Sequence, residues 1–415
     1  MSKKLDNMSR RRHLVEETDV VIVGAGPVGG RMATLLAEKG VDVLLLEEHG
    51  EIGRPFQCAG LVNPPSMKAV NLQETILQNI DGAKIHAPNG TMVPVGTAGK
   101  VRTHVVCRKM FDQGVVIQAQ KAGAKLSLLS RPIDAKTYDD CIITKIDRNG
   151  TIQEVKSKLL IGADGAHSWT RRFFKLGRPK EMMVGFQVEV NGLVSENNWL
   201  EMYSGDDVAP GLFAWVIPSG HGTHRIGIWI RGQDLEEQSV EHYYHNLINH
   251  PLWKEKFRDI QEIGRYCGPV PCGIIKRPFT NRVLLIGDAA GSAKPTTGGG
   301  IGPGFKQAAD LTPKLLPLLE TNRLEERQLK KISQIFKSIK KEQDKARALR
   351  DLLVTIPNDE ELNKHFEMFN RKEVLDLINR EGDIEHPVRL GLSLLRTVPE
   401  FRRLALKAGT KLIFS

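Results

Sequence analysis

Three short stretches of this chain carry residue types at spacings that could do chemistry. The first is Gly24-Ala25-Gly26-Pro27-Val28-Gly29, with the acid Glu47 roughly twenty residues beyond it. The second is Gly162-Ala163-Asp164-Gly165, a carboxylate set between glycines at the end of an apolar run. The third opens at Gly287-Asp288 and holds seven glycines between 287 and 304. In the first stretch each glycine has a physical task. Gly24 permits a tight turn, Gly26 lets a pyrophosphate approach the backbone, and Gly29 lets a helix pack closely on the strands. The pyrophosphate would rest on the helix N-terminus, where unpaired N–H groups and the helix dipole favour negative charge. Glu47 would accept hydrogen bonds from ribose hydroxyls. The glycine density of the third stretch removes side chains where a large planar ligand must meet the backbone. This is the chemistry of holding a dinucleotide.

Those residues act only if regular elements hold them in place. Residues 19–23 and 41–46 are apolar runs that read as buried strands, and residues 29–39 between them carry helix-compatible apolar spacing. The Gly/Pro-rich segment 49–67 is too irregular for a regular element. Arg108 opens a helical run that ends at Gly123. Residues 84–106 read as short strands around the turn Pro88-Asn89-Gly90. Further strands are expected at 126–129, 141–146, 151–156 and 158–162, with a turn at Arg148-Asn149-Gly150. Between about 180 and 275 four alternating runs separated by glycines predict an antiparallel sheet. A helix is expected to begin near residues 303–305, its N-terminus toward the ligand. Beyond about 323 the chain is helical and charged, divided at Pro357, Pro387 and Pro399.

The expected fold class is therefore α/β, or α+β overall. A Rossmann-type nucleotide-binding domain is assembled from 18–80, 104–178 and 276–322. An antiparallel-sheet domain over 81–103 and 179–275 is inserted into it. A disordered basic tail over 1–17 precedes both, and a helical region over 323–415 follows.

The chain has 415 residues, 40% apolar and 26% charged, which suits two or three folded domains. No apolar run reaches bilayer-spanning length, and the polar first residues lack a secretory signal. Five scattered cysteines without a C-x-x-C pair argue against a disulfide framework, an iron–sulfur cluster or structural zinc. Cys267 and Cys272 flank a Pro-containing stretch that would let them meet across a turn, though the spacing establishes no disulfide. No histidine pattern suits a metal, so none is expected. Cytoplasmic placement follows, with membrane association on the cytoplasmic face as an extension of it.

The net charge is +10. Basic residues cluster in 327–350, and 388–415 holds six Lys or Arg against the single acid Glu400, interleaved with leucines. Such a segment suits an anionic membrane interface, or equally a helix packed on its own protein with a solvated basic face. Nucleic acid is not an expected partner, because no binding module accompanies the charge.

Taken together and in this order, GAGPVG, IGADGAHSWTRR and LLIGDAAGSAKPTTGGGI resemble the FAD-binding fingerprints of the p-hydroxybenzoate hydroxylase-like flavoproteins. Closer features resemble the geranylgeranyl reductase branch, which includes the archaeal digeranylgeranylglycerophospholipid reductases. These are LLLEEHGEIGRPFQCAG, VCRKMFDQGVVIQAQKAGA and APGLFAWVIPSG. The last resembles the branch's P-x-x-Y-x-W-x-F-P-K-G pattern at Pro210, Trp215, Pro218 and Gly220. It departs from it at Phe213, Ile217 and Ser219, leaving a greasier site.

The resemblance implies FAD as cofactor. It places FAD contacts at Gly24, Ala25, Gly26, Pro27, Gly29, Glu47, Glu48, Cys58, Ala59 and Arg108, and at Asp164, Gly165, Asp288, Gly299, Gly300 and Ile301. It implies saturation of isoprenoid double bonds on a membrane lipid or prenyl precursor by reduced flavin plus a proton. A chlorophyll-pathway prenyl reductase belongs to the same branch, and a monooxygenase of an apolar or aromatic substrate is the alternative on the same fold. The electron donor would be ferredoxin or NAD(P)H. Phe213, Trp215 and Ile217 alternate along one strand and so share a face, which with Pro218 would line an apolar substrate channel or else form ordinary core. Cys58 is the candidate for a proton donor or flavin contact, with a packed, inert thiol the equal alternative.

Overall fold

The computed structural model describes residues 15–54, 58–196, 198–355, 357–381 and 387–407. Its centre is a six-stranded sheet in the order Phe279–Thr280, Val283–Leu285, Leu159–Gly162, Val20–Val23, Val43–Leu46 and Lys125–Ser127. All pairs are parallel except the first, so the sheet must be covered on both faces. That explains the unbroken apolar runs: Val20–Val23 and Val43–Leu46 are buried at every position. Helices Pro27–Ala37, Arg108–Lys121 and Ile301–Glu320 pack against one another beside the sheet. Gly30 lets the first two approach, since a Cβ there would lie 3.0 Å from Val115 Cγ1.

A second, seven-stranded sheet runs Gln261–Cys272, Glu181–Asn191, His224–Arg231, Ala209–Pro218, Trp199–Gly205, Gly82–His86 and Met92–Gly96. It joins two strands from 82–96 with five from 181–272. It is antiparallel apart from one pair: Trp199–Gly205 runs parallel to Gly82–His86, because the edge hairpin comes from the earlier part of the chain. One face carries Phe186, Val188, Ala214, Val216, Ile226 and Ile228 against helix Val240–Asn249, a helix that the alternating pattern did not foretell. The other face looks toward the nucleotide-binding layer.

Other expectations change in detail. The segment 49–67 is not wholly irregular: Leu61–Val62 is a short strand, and helix Pro64–Val70 extends beyond the segment. Asn63 caps that helix through Ser66 N at 2.8 Å, and its two prolines occupy positions that need no N–H. Of the tail expected to be disordered, residues 1–14 lie outside the described residues. Glu16–Glu17 pair in parallel with Thr151–Ser157, because Glu16 meets Arg148 and Glu17 meets Lys156. The third glycine-rich stretch enters its helix at Ile301, slightly earlier than the sequence suggested. Cys267 and Cys272 lie on one continuous strand and are free, so the prolines between them make no turn.

The C-terminal helices pack on the chain itself. Leu394 and Phe401 are buried with Met368, Leu377 and Ile378, and Leu390 and Leu395 border this cluster. Leu404, Leu406, Ile413 and Phe414 lie among residues whose side chains are not described.

The basic run 327–350 is not simply a charged surface. In helix Ser333–Arg350, Gln343, Arg347 and Arg350 share one buried face. Gln343 accepts from Ile274 N and donates to Gly291 O and Ala293 O. Arg347 donates to Glu181 at 2.7 Å and Arg350 at 2.8 Å, while Arg350 also reaches Pro295 O at 2.9 Å. This helix therefore clamps the start of the second sheet to the glycine-rich loop. Burial would raise the Glu181 pKa, but Arg350 and Arg347 outweigh it and hold the carboxylate below its ordinary range.

Arg350→Met should leave Glu181 short of a partner and lower unfolding free energy by about 2 kcal/mol in urea titration. Lys337→Met, on the exposed side of the same helix, should stay within about 0.5 kcal/mol of the parent. Equal effects would mean that the pairing contributes nothing.

Candidate functional site

The first turn is held by backbone contact at its limit. A Cβ on Gly29 would lie 2.0 Å from Gly24 O, so the turn and the helix touch through backbone alone. Gly24 has φ +96, and a side chain there would strike Ala163 O at 2.6 Å. Gly26 differs, because nothing lies within 4 Å of the place its Cβ would occupy. It caps helix Pro27–Ala37 without any side-chain hydrogen bond, so the terminal N–H groups face open space. Glu47 follows its strand directly, accepting Ala25 N at 3.1 Å through one oxygen and His49 N at 3.0 Å through the other. Glu48 is exposed beyond it.

A second uncapped helix N-terminus lies beside the first. Gly300 precedes helix Ile301–Glu320 with no side-chain cap. Gly287 and Gly304 both receive Val28 of the first helix, and a Cβ on Gly304 would stand 2.3 Å from Val28 Cγ2. The two helix starts are thus locked side by side. Asp288 stands between them, its Oδ1 where a Cβ on Gly300 would come within 2.8 Å.

The electrostatics single out Asp288. It accepts no hydrogen bond from the described residues. Burial pushes its carboxyl up to about 6, against the pull of Arg108. Arg108 opens its helix and is gripped by Asp112 through two bonds of 2.9 and 2.8 Å. Burial works against the Arg108 cation, but Asp112 and then Cys58 more than offset it, so its pKa is raised. Cys58 sits next to that guanidinium and accepts Gly60 N at 3.3 Å. The structure therefore brings Gly26, Glu47, Arg108, Cys58, Asp288 and Gly300 to one gap.

Asp164 has a different situation. Ser168 Oγ, Thr170 N and Thr170 Oγ1 all donate to it, at 2.6, 2.8 and 2.9 Å. Its carboxylate organises the turn into helix Trp169–Phe173, while Gly165, at φ +67, keeps the backbone open beside it. Burial raises its pKa, and those hydrogen bonds oppose the rise.

Several residues hold the site although their local sequence gave no signal. Arg171 is buried and joins Ala289 O to Ala166 O, tying the second stretch to the third. Gln307 accepts Gly287 N and Ser292 Oγ, fixing the turn that carries Asp288. Arg225, 3% exposed, pairs with Glu189 at 3.0 Å and donates to Ala59 O at 2.8 Å, fastening the cysteine loop to the second sheet. Signals that could have found them were weak: a paired Arg171-Arg172 after the second stretch, and a lone arginine inside an apolar strand.

The second sheet closes the gap with Phe213, Trp215 and Ile217, which do share one face. Ile217 packs with Ile80, Val105 and Leu200, bordered by Ala59 and Trp215. Trp229 packs with Met183, Cys272 and Ala293, bordered by Phe213 and Trp215. Pro218 is buried at the strand end, where Ser219 and Thr223 hydroxyls meet at 2.9 Å. Among the described residues no His, Cys, Asp and Glu group could hold a metal ion, and no helix is long and apolar enough to cross a membrane.

These features fit FAD. The open space at Gly26 admits a pyrophosphate, Glu47 would meet a ribose, and the half-buried carboxyl of Asp288 is free to accept from ribityl hydroxyls.

Comparison with known proteins agrees with that fit. The family described as FAD binding domain matches residues 17–330. A digeranylgeranylglycerophospholipid reductase of Methanosarcina acetivorans is 33% identical over 68% of this chain and 71% of its own length. One from Methanocaldococcus jannaschii is 34% identical over 70% and 74%. A geranylgeranyl bacteriochlorophyll reductase-like protein from Thermoplasma acidophilum superposes with a TM-score of 0.84. At 22% identity it covers 95% of this chain and 100% of its own, and it shares the fold.

Gly26→Ala should unfold within about 0.5 kcal/mol of the parent yet lose most of its bound flavin, read by absorbance of the purified protein. Gly29→Ala should fail to fold; a yellow, folded Gly29→Ala would refute the packing argument.

Asp288 gives a pH test. Its folded value of about 6 lies above the ordinary 3.8, so between these the folded chain binds more protons than the unfolded one. Stability from this group is therefore fullest at low pH and falls as pH rises through the window. In flavin-free protein, Asp288→Asn should match the parent near pH 4 and melt higher than it at pH 7. Parallel profiles would contradict the assignment.

Proposed function

This chain belongs to the FAD-binding flavoproteins and, within them, to the digeranylgeranylglycerophospholipid reductases, and from that premise we propose that it saturates isoprenoid double bonds of a membrane lipid or prenyl precursor. It is an FAD-dependent oxidoreductase. The observation that carries the reading is the one-faced strip Phe213, Trp215 and Ile217, whose first two members border Ala293 in the loop after Asp288. An isolated alkene has no carbonyl to hold developing charge, so placement and exclusion of water must do most of the work. When bound, FAD supplies the hydride.

The remaining tasks fall to the chain. Gly26 and Gly300 present helix N-termini to the phosphates, Glu47 holds the adenosine ribose, and Asp288 holds the ribityl chain. Glu48, Asp164 and Gly165 complete the proposed cofactor contacts, with Asp164 acting through the turn it organises. Phe213, Trp215, Ile217 and Pro218 line the isoprenoid chain. Cys58, next to Arg108, is the thiol we place beside the reacting bond as proton donor, with Arg108 held in place by Asp112.

Electrons arrive from a separate donor, ferredoxin or NAD(P)H. Exposed Lys337 and Lys341 give an acidic donor a surface to meet. Leu392, 46% exposed, with Arg396 exposed on the same helix, is where we place contact with the cytoplasmic face of a membrane.

Anaerobic incubation of the chemically reduced protein with a geranylgeranylated glycerophospholipid should add two hydrogens per double bond, counted by mass spectrometry. No gain with a flavin that still reduces, together with substrate-dependent oxygen consumption, would replace this reading with a monooxygenase.

A further inference from the structure

The face of the second sheet that looks toward the nucleotide-binding layer carries an unpaired amide at its middle. There Gln187 is 4% exposed, and neither its amide nitrogen nor its amide oxygen has a hydrogen-bond partner among the described residues. The indole Nε1 atoms of Trp215 and Trp229 are likewise buried without a partner. The register puts these groups together. Gln187 and Trp215 both pair with Gly227, from the two neighbouring strands. Trp229 is two residues further along the Gly227 strand, on the same face.

Glycines make room for both rings. A Cβ on Gly227 would lie 2.2 Å from Trp215 Cζ2, so the indole lies across that position. A Cβ on Gly298 would lie 2.7 Å from Trp229 Cη2, so the second indole reaches the glycine-rich loop. Trp215 borders Ala59 on one side of the gap and Trp229 meets Ala293 and Gly298 on the other. Gln187 lies across Gly227 from Trp215.

A buried amide and two buried indole N–H groups left unpaired would each cost on the order of 1–3 kcal/mol, which an all-hydrocarbon ligand cannot relieve. On the next rung of the ladder Arg225 and Glu189 neutralise each other at 3.0 Å. The patch is therefore polar but uncharged, and suits an oxygen without formal charge rather than a phosphate.

We propose that Gln187, with the indole N–H groups of Trp215 and Trp229, forms a polar subsite that binds a neutral hydroxyl, ether or carbonyl oxygen of the isoprenoid substrate. It rests on the prenyl reductase reading and adds to it a rule for register. The oxygen anchors the chain, and the distance from oxygen to double bond decides which bond meets the cofactor.

The test compares geranylgeraniol, its methyl ether and the hydrocarbon of matching length, bound to the FAD-loaded protein at fixed detergent and followed by tryptophan fluorescence. The two oxygenated chains should bind more tightly than the hydrocarbon, against the order set by hydrophobicity alone. Gln187→Leu should weaken the oxygenated chains by roughly three- to tenfold and leave the hydrocarbon unweakened. Trp229→Phe, which keeps an aromatic ring and loses the donor, should narrow the same gap; it decides the matter if Gln187→Leu fails to retain FAD. Equal binding of all three chains to the parent protein would overturn the subsite alone. Failure of every chain to bind would overturn the isoprenoid reading with it.

Discussion

The structure depends on one backbone contact, the meeting of Gly29 with Gly24 O. Because no side chain intervenes, helix Pro27–Ala37 starts directly above the end of strand Val20–Val23, and its terminal N–H groups are left facing outward. The remaining geometry follows from that closeness. Gly24 N reaches back to Leu46 O, Ala25 N meets Glu47, and Ala163 N meets Val23 O, so three strand ends arrive at one point. Val28, carried by the same helix, seats the turn of Asp288 and the start of helix Ile301–Glu320. A cofactor site built this way is mostly backbone.

Its electrostatics form a graded series. Arg108 is held by Asp112, burial pushes the Asp288 carboxyl up to about 6, and the Cys272 thiol is pushed up by burial and then by Asp288. A single cation thus faces a carboxyl that gains from a ligand's hydroxyl groups. The surroundings disfavour a second free negative charge.

What the sequence made legible was local. Gly24, Gly26, Gly29, Glu47 and Asp288 declare themselves because their tasks are set by neighbours a few residues away, and the Phe213–Trp215–Ile217 face follows from strand alternation. Asp164 was legible as a position and not as a task, since its oxygens are taken by Ser168 and Thr170. Arg171, Arg225, Gln187 and Gln307 were hidden for another reason: each acts through a residue far away in sequence or through none. The basic run 327–350 is divided for the same cause. A count of charges cannot tell that Arg347 and Arg350 are buried on Glu181 while Lys337 is solvated.

That last pairing also bears on the order in which the molecule can be completed during synthesis. Glu181 and the carbonyls of Gly291, Ala293 and Pro295 leave the ribosome before the helix that satisfies them. Until Gln343, Arg347 and Arg350 emerge, the nascent chain holds a carboxylate and three carbonyls that cannot be buried without loss. The early strands and the first glycine turn can assemble without that helix, whereas the floor of the glycine-rich loop must wait for it. The floor of the glycine-rich loop and helix Ser333–Arg350 are thus completed together.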